Sequence, residues 1–333
     1  MKVRVVIIAG GSGKRLWPIS TEYKPKPFLN LFGEENLIKN TFERAKRISK
    51  DISMVVNIKH KRYVEDLPAE KIYEIIGRNT APAIALASLF LDDEDIMVVL
   101  PADHVIPEID KFEKIIRKAI DFANRRDALI TLGIKPTYPE TGYGYIEVGE
   151  KVEENIYKVL LFHEKPDLEK AKEYIEKGSF FWNSGIFIWK NKSIKSAFIK
   201  YLSEDYGKIY TLKEYIGKES FEEKIEEVYK EIKSVSIDKG VLEKAENIYV
   251  IPADFQWSDI GSWESLYNVF PKDKRGNYIT GEVKTLDVKN SLILNYSDKE
   301  TVVIEEENII VVITEDKILI SKKGSSSRVK DII

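Results

Sequence analysis

Along the first half of this chain, short and almost wholly apolar runs alternate with segments whose apolar residues fall at helical spacing. Val3–Ala9, Ser53–Ile58, Ile96–Leu100 and Ala128–Ile134 are runs of the first kind and predict strands buried on both faces. Leu37–Ser49, Ala81–Leu91 and Lys111–Asn124 are of the second kind and predict the helices between them. Buried strands alternating with helices predict a parallel sheet of βαβ units, a doubly wound α/β layer whose ligands bind beyond the carboxyl ends of the strands. The pattern then loosens. Tyr143–Val148 and Tyr157–His163 read as strands and Leu168–Lys177 and Glu219–Ile232 as helices, extending the same domain. After the polar stretch 271–277 the helical signal vanishes. Gly281–Val288, Ser291–Asn295, Thr301–Glu305, Ile309–Ile313 and Lys317–Ile320 alternate with period two and predict a small β-sheet or β-solenoid. The expected boundaries are 1–272 for the α/β domain and 273–333 for the β domain.

Composition narrows the chemistry. Lys and Arg number 52 against 55 Asp and Glu, so no overall charge draws the chain to nucleic acid or an anionic membrane, and any phosphate binding must be local. The absence of cysteine excludes disulfides, thiolate catalysis and cysteine-held metals. The apolar run after Lys2 and Arg4 stops at two glycines, too early for a secretory signal, and no stretch is long enough to span a bilayer. The expectation is a cytoplasmic protein.

The strand Val3–Ala9 leads straight into Gly10-Gly11-Ser12-Gly13-Lys14-Arg15. Glycines after such a strand let backbone N–H groups approach a phosphate with no Cβ in the way. Two familiar phosphate loops fail here. A P-loop needs a glycine five residues before Gly13 and Ser or Thr where Arg15 stands; a dinucleotide fingerprint needs glycine where Leu16 stands. An ordinary glycine turn stays open as the plain alternative. Lys26 follows between Pro25 and Pro27, which would hold it in an extended, rigid loop.

Together, AGGSGKRLWPIS (9–20) and KPKPF (24–28) resemble the signature of the sugar-nucleotide pyrophosphorylases, within them the mannose-1-phosphate guanylyltransferases. The resemblance implies a Rossmann-like doubly wound mixed sheet of the GT-A-like nucleotidyltransferase type, with a small C-terminal left-handed β-helix that builds a homodimer. It implies transfer of GMP from GTP to mannose 1-phosphate, giving GDP-mannose and pyrophosphate, with Mg2+ as cofactor. Arg15 and Lys26 would be the cationic stabilisers, and Asp103 and Asp259 the catalytic carboxylates and metal ligands. Ala9, Gly10, Gly11, Gly13, Glu74, Asn79, Thr80 and Ala81 would bind the nucleotide. Gly144, Tyr145, Glu164, Lys165 and Asn183 would bind the sugar, with Lys165 near its phosphate. Pro27, Ile75 and Lys239 depart from the family, which commonly has Gln, Pro and an aromatic there.

Read alone, these residues have plainer roles. Asp103, after Ile96–Leu100, suits a turn or cap, and Asn79 or Thr80 suits a helix cap before Pro82. Glu164-Lys165 would make a solvated ion pair, and Thr141–Glu147 a β-bulge. Ser236–Lys244 reads as architectural. His60, His104 and His163 lack zinc-type spacing and receive no catalytic role. A sugar phosphate with a second pKa of about 6 is already an anionic nucleophile near neutrality, so no general base is needed. The competing readings are a pyrophosphorylase for another base or hexose and a catalytically silent sugar-nucleotide sensor; a nicotinamide oxidoreductase fails at Leu16. The chain ends before the isomerase domain of bifunctional members, so no mannose-6-phosphate isomerisation is expected.

Overall fold

The protein is described by a computed structural model covering residues 1–11 and 13–333; Ser12 of the glycine loop lies outside the described residues. The chain divides into two compact units, residues 1–10, 38–102 and 106–257, and residues 11–37, 103–105 and 258–333.

The first unit is built on β1 (Val3–Ala9), β2 (Asp51–Asn57), β3 (Glu70–Glu74), β4 (Ile96–Pro101), β5 (Leu129–Ile134), β6 (Gly144–Glu153), β7 (Ile156–Glu164), β8 (Phe180–Lys190) and β9 (Ile248–Ala253). Among the described residues these form one mixed sheet in the order β3-β2-β1-β4-β8-β5-β9-β7-β6. β1, β2, β3 and β4 pair in parallel, as do β5 and β9. The sheet is mixed, as the resemblance implied; the wholly parallel sheet read from periodicity alone is corrected at its centre, where β8 runs antiparallel to both β4 and β5. The aromatic run Phe180–Phe187 is therefore a central strand. The hairpin of β6 and β7 and the helix Leu168–Lys177 intervene between β5 and β8, and β8 enters the sheet against both of its neighbours.

Burial explains the strands. Val5, Val6 and Ile7 are wholly buried, and β5 is buried at every position. The helices are α1 (Leu37–Ile48), α2 (Thr80–Ser88), α3 (Ile109–Arg125), α4 (Leu168–Lys177), α5 (Asn191–Tyr201), α6 (Ser203–Thr211) and α7 (Phe221–Glu231). α3 buries one stripe, Phe112, Ile116, Ala119, Ile120 and Ala123, as its spacing predicts. α2 is buried from Ala81 to Ser88, as befits a helix apolar on every side. β3 escaped the sequence reading because Glu-Lys-Ile-Tyr-Glu is an edge strand with too few apolar residues to announce itself.

The second unit carries α8 (Trp263–Val269) and the strands β10 (Tyr278–Thr280), β11 (Val283–Leu286), β12 (Leu292–Asn295), β13 (Thr301–Ile304), β14 (Ile309–Ile313) and β15 (Ile318–Lys322). β10, β12 and β14 form a parallel ladder with β15 added antiparallel, and β11 pairs in parallel with β13. Leu292, Leu294, Ile310 and Val312 pack with Trp263, Leu266 and Phe270. From the other face, Ile293, Val311 and Ile313 meet Val283 and Val303. The corners recur: Asp287 and Asn290, then Glu305 and Asn308, all take positive φ.

Candidate active site

Of the residues expected at the phosphates, Gly13, Asp103 and Asp259 gather around Lys26 in the second unit. After Gly11 and Gly13, at φ +94° and +60°, Lys14–Leu16 makes a single 3-10 turn that buries Leu16 and leaves Arg15 exposed. Lys26 does not sit in the extended loop expected of it. It opens a 3-10 turn, Lys26–Phe28, with Phe28 N–H donating to Pro25 O at 3.0 Å and Leu29 N–H to Lys26 O at 3.1 Å. Pro27 lies where a turn has no use for its N–H, so the turn tolerates it.

Lys26 is only 7% exposed. Its Nζ donates to Asp103 Oδ2 at 2.8 Å and to the main-chain oxygen of Asp259. The two aspartate loops are joined by a small antiparallel bridge, Val105 N–H to Ser258 O at 2.9 Å and Ser258 N–H to Val105 O at 3.1 Å. Asp259 closes a turn by accepting the Gly261 N–H on Oδ1 at 2.9 Å. Between them Ile260 stands at φ +46°, wholly buried. A β-branched residue in that region is strained, and such strain persists only where the surroundings enforce it. Gly13 completes the group: a Cβ there would lie 2.6 Å from Lys26 Cβ and 2.7 Å from Ser20 Oγ. The loop therefore needs glycine at 13 for both conformation and space.

No group of three or more metal-ligating side chains occurs among the described residues. Two aspartates nevertheless suit a hard divalent ion, which often takes one or two carboxylates and completes its shell with water and substrate phosphate.

Of the residues expected at the nucleotide, Asn79, Thr80 and Ala81 stand at the start of α2 in the first unit, Ala9 at the end of β1 and Glu74 at the end of β3. Ala9 ends β1 and is buried, and Gly10 follows it exposed. Asn79 caps α2, its side chain accepting the Thr80 N–H at 2.9 Å, with the Asn79 backbone at φ +71°. Thr80 Oγ1 accepts the Ile237 N–H at 2.8 Å. The Ala81 N–H, a natural donor to a ligand, is committed to Val235 O at 3.1 Å, and Ala81 is buried. The capping reading of Asn79 thus holds beside the proposed nucleotide role. Glu74, at the end of β3, is 8% exposed, and burial pushes its carboxyl up to about 7. The Tyr229 hydroxyl beside it tempers that rise, although Glu74 Oε1 and the Tyr229 hydroxyl form no hydrogen bond of good geometry. Burial and the neighbouring Glu74 push the Tyr229 hydroxyl well above its ordinary range.

Glu74 makes a prediction. Between its ordinary 4.5 and about 7, the folded chain keeps a proton that the unfolded chain has released. Stability from this group is full below pH 4.5 and falls as pH rises towards 7, by on the order of 3 kcal/mol. Thermal unfolding of Glu74→Gln should lose that part of the slope between pH 5 and 7.5; an unchanged slope would contradict the assignment.

Of the residues expected at the sugar, Gly144, Glu164, Lys165 and Asn183 meet at the shared end of β6, β7 and β8. Gly144 pairs with Glu164, and a Cβ at Gly144 would lie 2.7 Å from Glu164 Oε2 and 3.3 Å from Asn183 Cβ. The Glu164 side chain is 8% exposed, and Lys165 Nζ folds back onto its Oε1 at 2.5 Å. Lys165 takes φ +54°, the backbone turn that allows this. The ion pair of the plainer reading is formed, with its carboxylate enclosed rather than solvated. Tyr145 is not brought to this group. One residue along β6 its side chain points to the opposite face, wholly buried, with its ring 5.5 Å from that of Tyr174. His163 faces the same way and shares a 2.8 Å hydrogen bond with the Tyr174 hydroxyl.

Sequence reasoning missed Asp238. It begins a five-residue π-helical turn, Asp238–Leu242, within the segment read as architectural. Its Oδ1 accepts from Asn183 Nδ2 at 2.9 Å, and Glu243 Oε1, just past the turn, accepts the Glu164 N–H at 3.0 Å. Burial first, then the adjacent Glu164 charge, raises the Asp238 carboxyl above its ordinary range. Two acids at the ends of Asp-Lys-Gly-Val-Leu-Glu were the available signal, and π turns gather at functional sites.

Residues 4–276 match the nucleotidyl transferase family model. A protein of Escherichia coli named mannose-1-phosphate guanylyltransferase is 37% identical over 98% of this chain and 72% of its own length. A Salmonella typhimurium protein, mannose-1-phosphate guanylyltransferase RfbM, is likewise 37% identical, over 98% of this chain and 71% of its own. Among solved structures, one from Thermus thermophilus, described as a mannose-1-phosphate geranyltransferase, superposes with a TM-score of 0.89 at 31% identity, covering 100% of this chain and 98% of that one.

Proposed function

The chain belongs to the nucleotidyl transferase family, and from that premise we propose that it transfers GMP from GTP to α-D-mannose 1-phosphate, forming GDP-mannose and releasing pyrophosphate. The observation that carries this reading is similarity along nearly the whole chain to proteins named for that reaction. Lys26, held between Asp103 and Asp259, supports the phosphoryl-transfer half.

A phosphate oxygen of the sugar phosphate attacks the α-phosphorus of GTP, and pyrophosphate leaves in line. The nucleophile is already anionic, so the protein's task is placement and charge stabilisation. Lys26 supplies an ammonium whose position is fixed before substrate arrives. Arg15 makes no ion pair among the described residues and offers its exposed guanidinium to the triphosphate. Mg2+ held by Asp103 and Asp259 supplies further positive charge to the phosphate oxygens when bound. Glu74, Asn79 and Thr80 face the nucleotide; Gly144, Glu164 and Asn183 face the hexose, and Lys165 its phosphate.

Pyrophosphate release measured over a panel of nucleoside triphosphates and hexose 1-phosphates tests the reading. The highest kcat/KM is expected for GTP with mannose 1-phosphate. A preference for uridine or thymidine triphosphate with glucose 1-phosphate would replace it by a related pyrophosphorylase, and no turnover with any pair would favour a sensor.

Residues 273–333 form the β-helix domain of this reading and join two copies in the cytoplasm. No helix among the described residues is long and apolar enough to cross a membrane. Leu286, Val302 and Ile304 form an exposed apolar row on β11 and β13, with Leu286 and Ile304 directly paired. Such a row suits burial against a second copy. Light scattering should give a dimer for the full chain and a monomer for Leu286→Asp/Ile304→Asp. A monomeric full chain would refute the assembly.

A further inference from the structure

The hexose pocket contains an amide whose hydrogen-bonding capacity is nearly spent. Asn183 Oδ1 accepts from Thr131 Oγ1 at 2.8 Å and from the Gly185 N–H at 3.2 Å. Its Nδ2 gives one hydrogen to Asp238 Oδ1 at 2.9 Å. The Gly185 N–H can only donate, so it fixes which end of the amide is oxygen. A carboxamide has two N–H donors and one oxygen, and this one keeps a single N–H unassigned. Thr131 is wholly buried and Asn183 is 9% exposed, so the arrangement is enclosed.

We infer that Asp238 is a positioning residue of the hexose pocket: it locks Asn183 so that one N–H faces the sugar, beside Glu164 as the acceptor for the same or the neighbouring hydroxyl. This rests on the sugar-pocket reading above and adds to it the polarity of recognition. A hydroxyl that accepts from Asn183 and donates to Glu164 satisfies both groups. A site built to pair a hydroxyl in this way rejects analogues that leave its polar groups unpaired. The turn carrying Asp238 is anchored at both ends. Thr80 Oγ1 takes the Ile237 N–H, and Glu243 takes the Glu164 N–H.

The charged groups facing Asp238 are Glu164 and Lys165 at the end of β7, with opposite effects, and Glu243 follows on its own segment. As pH rises and Asp238 loses its proton, a second negative charge arises beside Glu164, where an anionic sugar phosphate must enter. KM for mannose 1-phosphate should therefore rise with pH. Asp238→Asn keeps an oxygen for the Asn183 N–H but cannot gain that charge.

Steady-state kinetics of Asp238→Ala and Asp238→Asn test the assignment. The Ala variant should raise KM for mannose 1-phosphate about tenfold or more, with KM for GTP within about twofold. The Asn variant should return to within about threefold of wild type and lose the rise in KM between pH 6.5 and 8.5. Equal defects in the two variants, parallel loss of both KM values, or an unchanged pH slope in Asp238→Asn would overturn the proposal. Should the wild type fail to turn over this substrate pair, the proposed function falls, and the Asn183 side-chain amide signals in 15N-resolved NMR decide the positioning role separately. They should shift in Asp238→Ala and hold in Asp238→Asn; no shift in the Ala variant would overturn it.

Discussion

Lys26→Met is expected to lower kcat/KM by about 10²–10³-fold, the range found when one preorganised stabiliser of transition-state charge is removed. The ammonium joins two loops by bonding both Asp103 Oδ2 and the Asp259 carbonyl. Its loss removes positive charge from the phosphates and leaves a carboxylate and a carbonyl without their donor. Lys26→Arg is not a rescue. The lysine stem passes so close to Gly13 that a Cβ there would sit 2.6 Å from Lys26 Cβ, and a planar guanidinium places its donors differently from a compact ammonium. Kinetics of both variants, with thermal unfolding as a control for folding, check this. Turnover within about threefold of wild type for Lys26→Met would refute the role.

Gly13→Ala carries the next largest effect. It combines a left-handed backbone, φ +60°, with contacts of 2.6 Å to Lys26 Cβ and 2.7 Å to Ser20 Oγ. The backbone alone costs on the order of 1–3 kcal/mol, and relief of the contacts moves Lys26 from the aspartates. A loss of about 10²-fold in kcat/KM is expected, since small misplacements of a positioning group have that consequence. Gly11→Ala is the control. It shares the positive φ, at +94°, but has open space around its would-be Cβ, so it should destabilise the loop with the smaller catalytic cost. Equal activities of the two variants would show that the packing of Lys26 against Gly13 is irrelevant.

Local chemistry made much of this legible in the sequence. Val3–Ala9 appears as β1 at the same bounds, because a strand buried on both faces needs an unbroken apolar run. Leu168–Lys177 is likewise α4, with Asp167 as its cap and Gly178 at its end. What depends on distant partners was hidden. Nothing within Phe180–Lys190 says that it runs against β4 and β5 in the middle of the sheet. Lys26 was legible as a special lysine from its two prolines, but not its burial or its bond to Asp259, a residue remote in sequence. Strand alternation separates Tyr145 from Gly144, yet which face carries Glu164 and Asn183 depends on the β7 and β8 neighbours. Asp238 was overlooked for the same reason: its meaning lies in Asn183 and Glu164, which approach it only in the folded chain.

The most direct test of the account follows oxygen atoms. Mannose 1-phosphate labelled with 18O throughout its phosphate is incubated with GTP, Mg2+ and the protein, and both products are weighed by mass spectrometry. Attack by the sugar phosphate on the α-phosphorus predicts GDP-mannose that retains all the label and pyrophosphate that carries none. Label in pyrophosphate, loss of label from the nucleotide sugar, or no nucleotide sugar formed would contradict it.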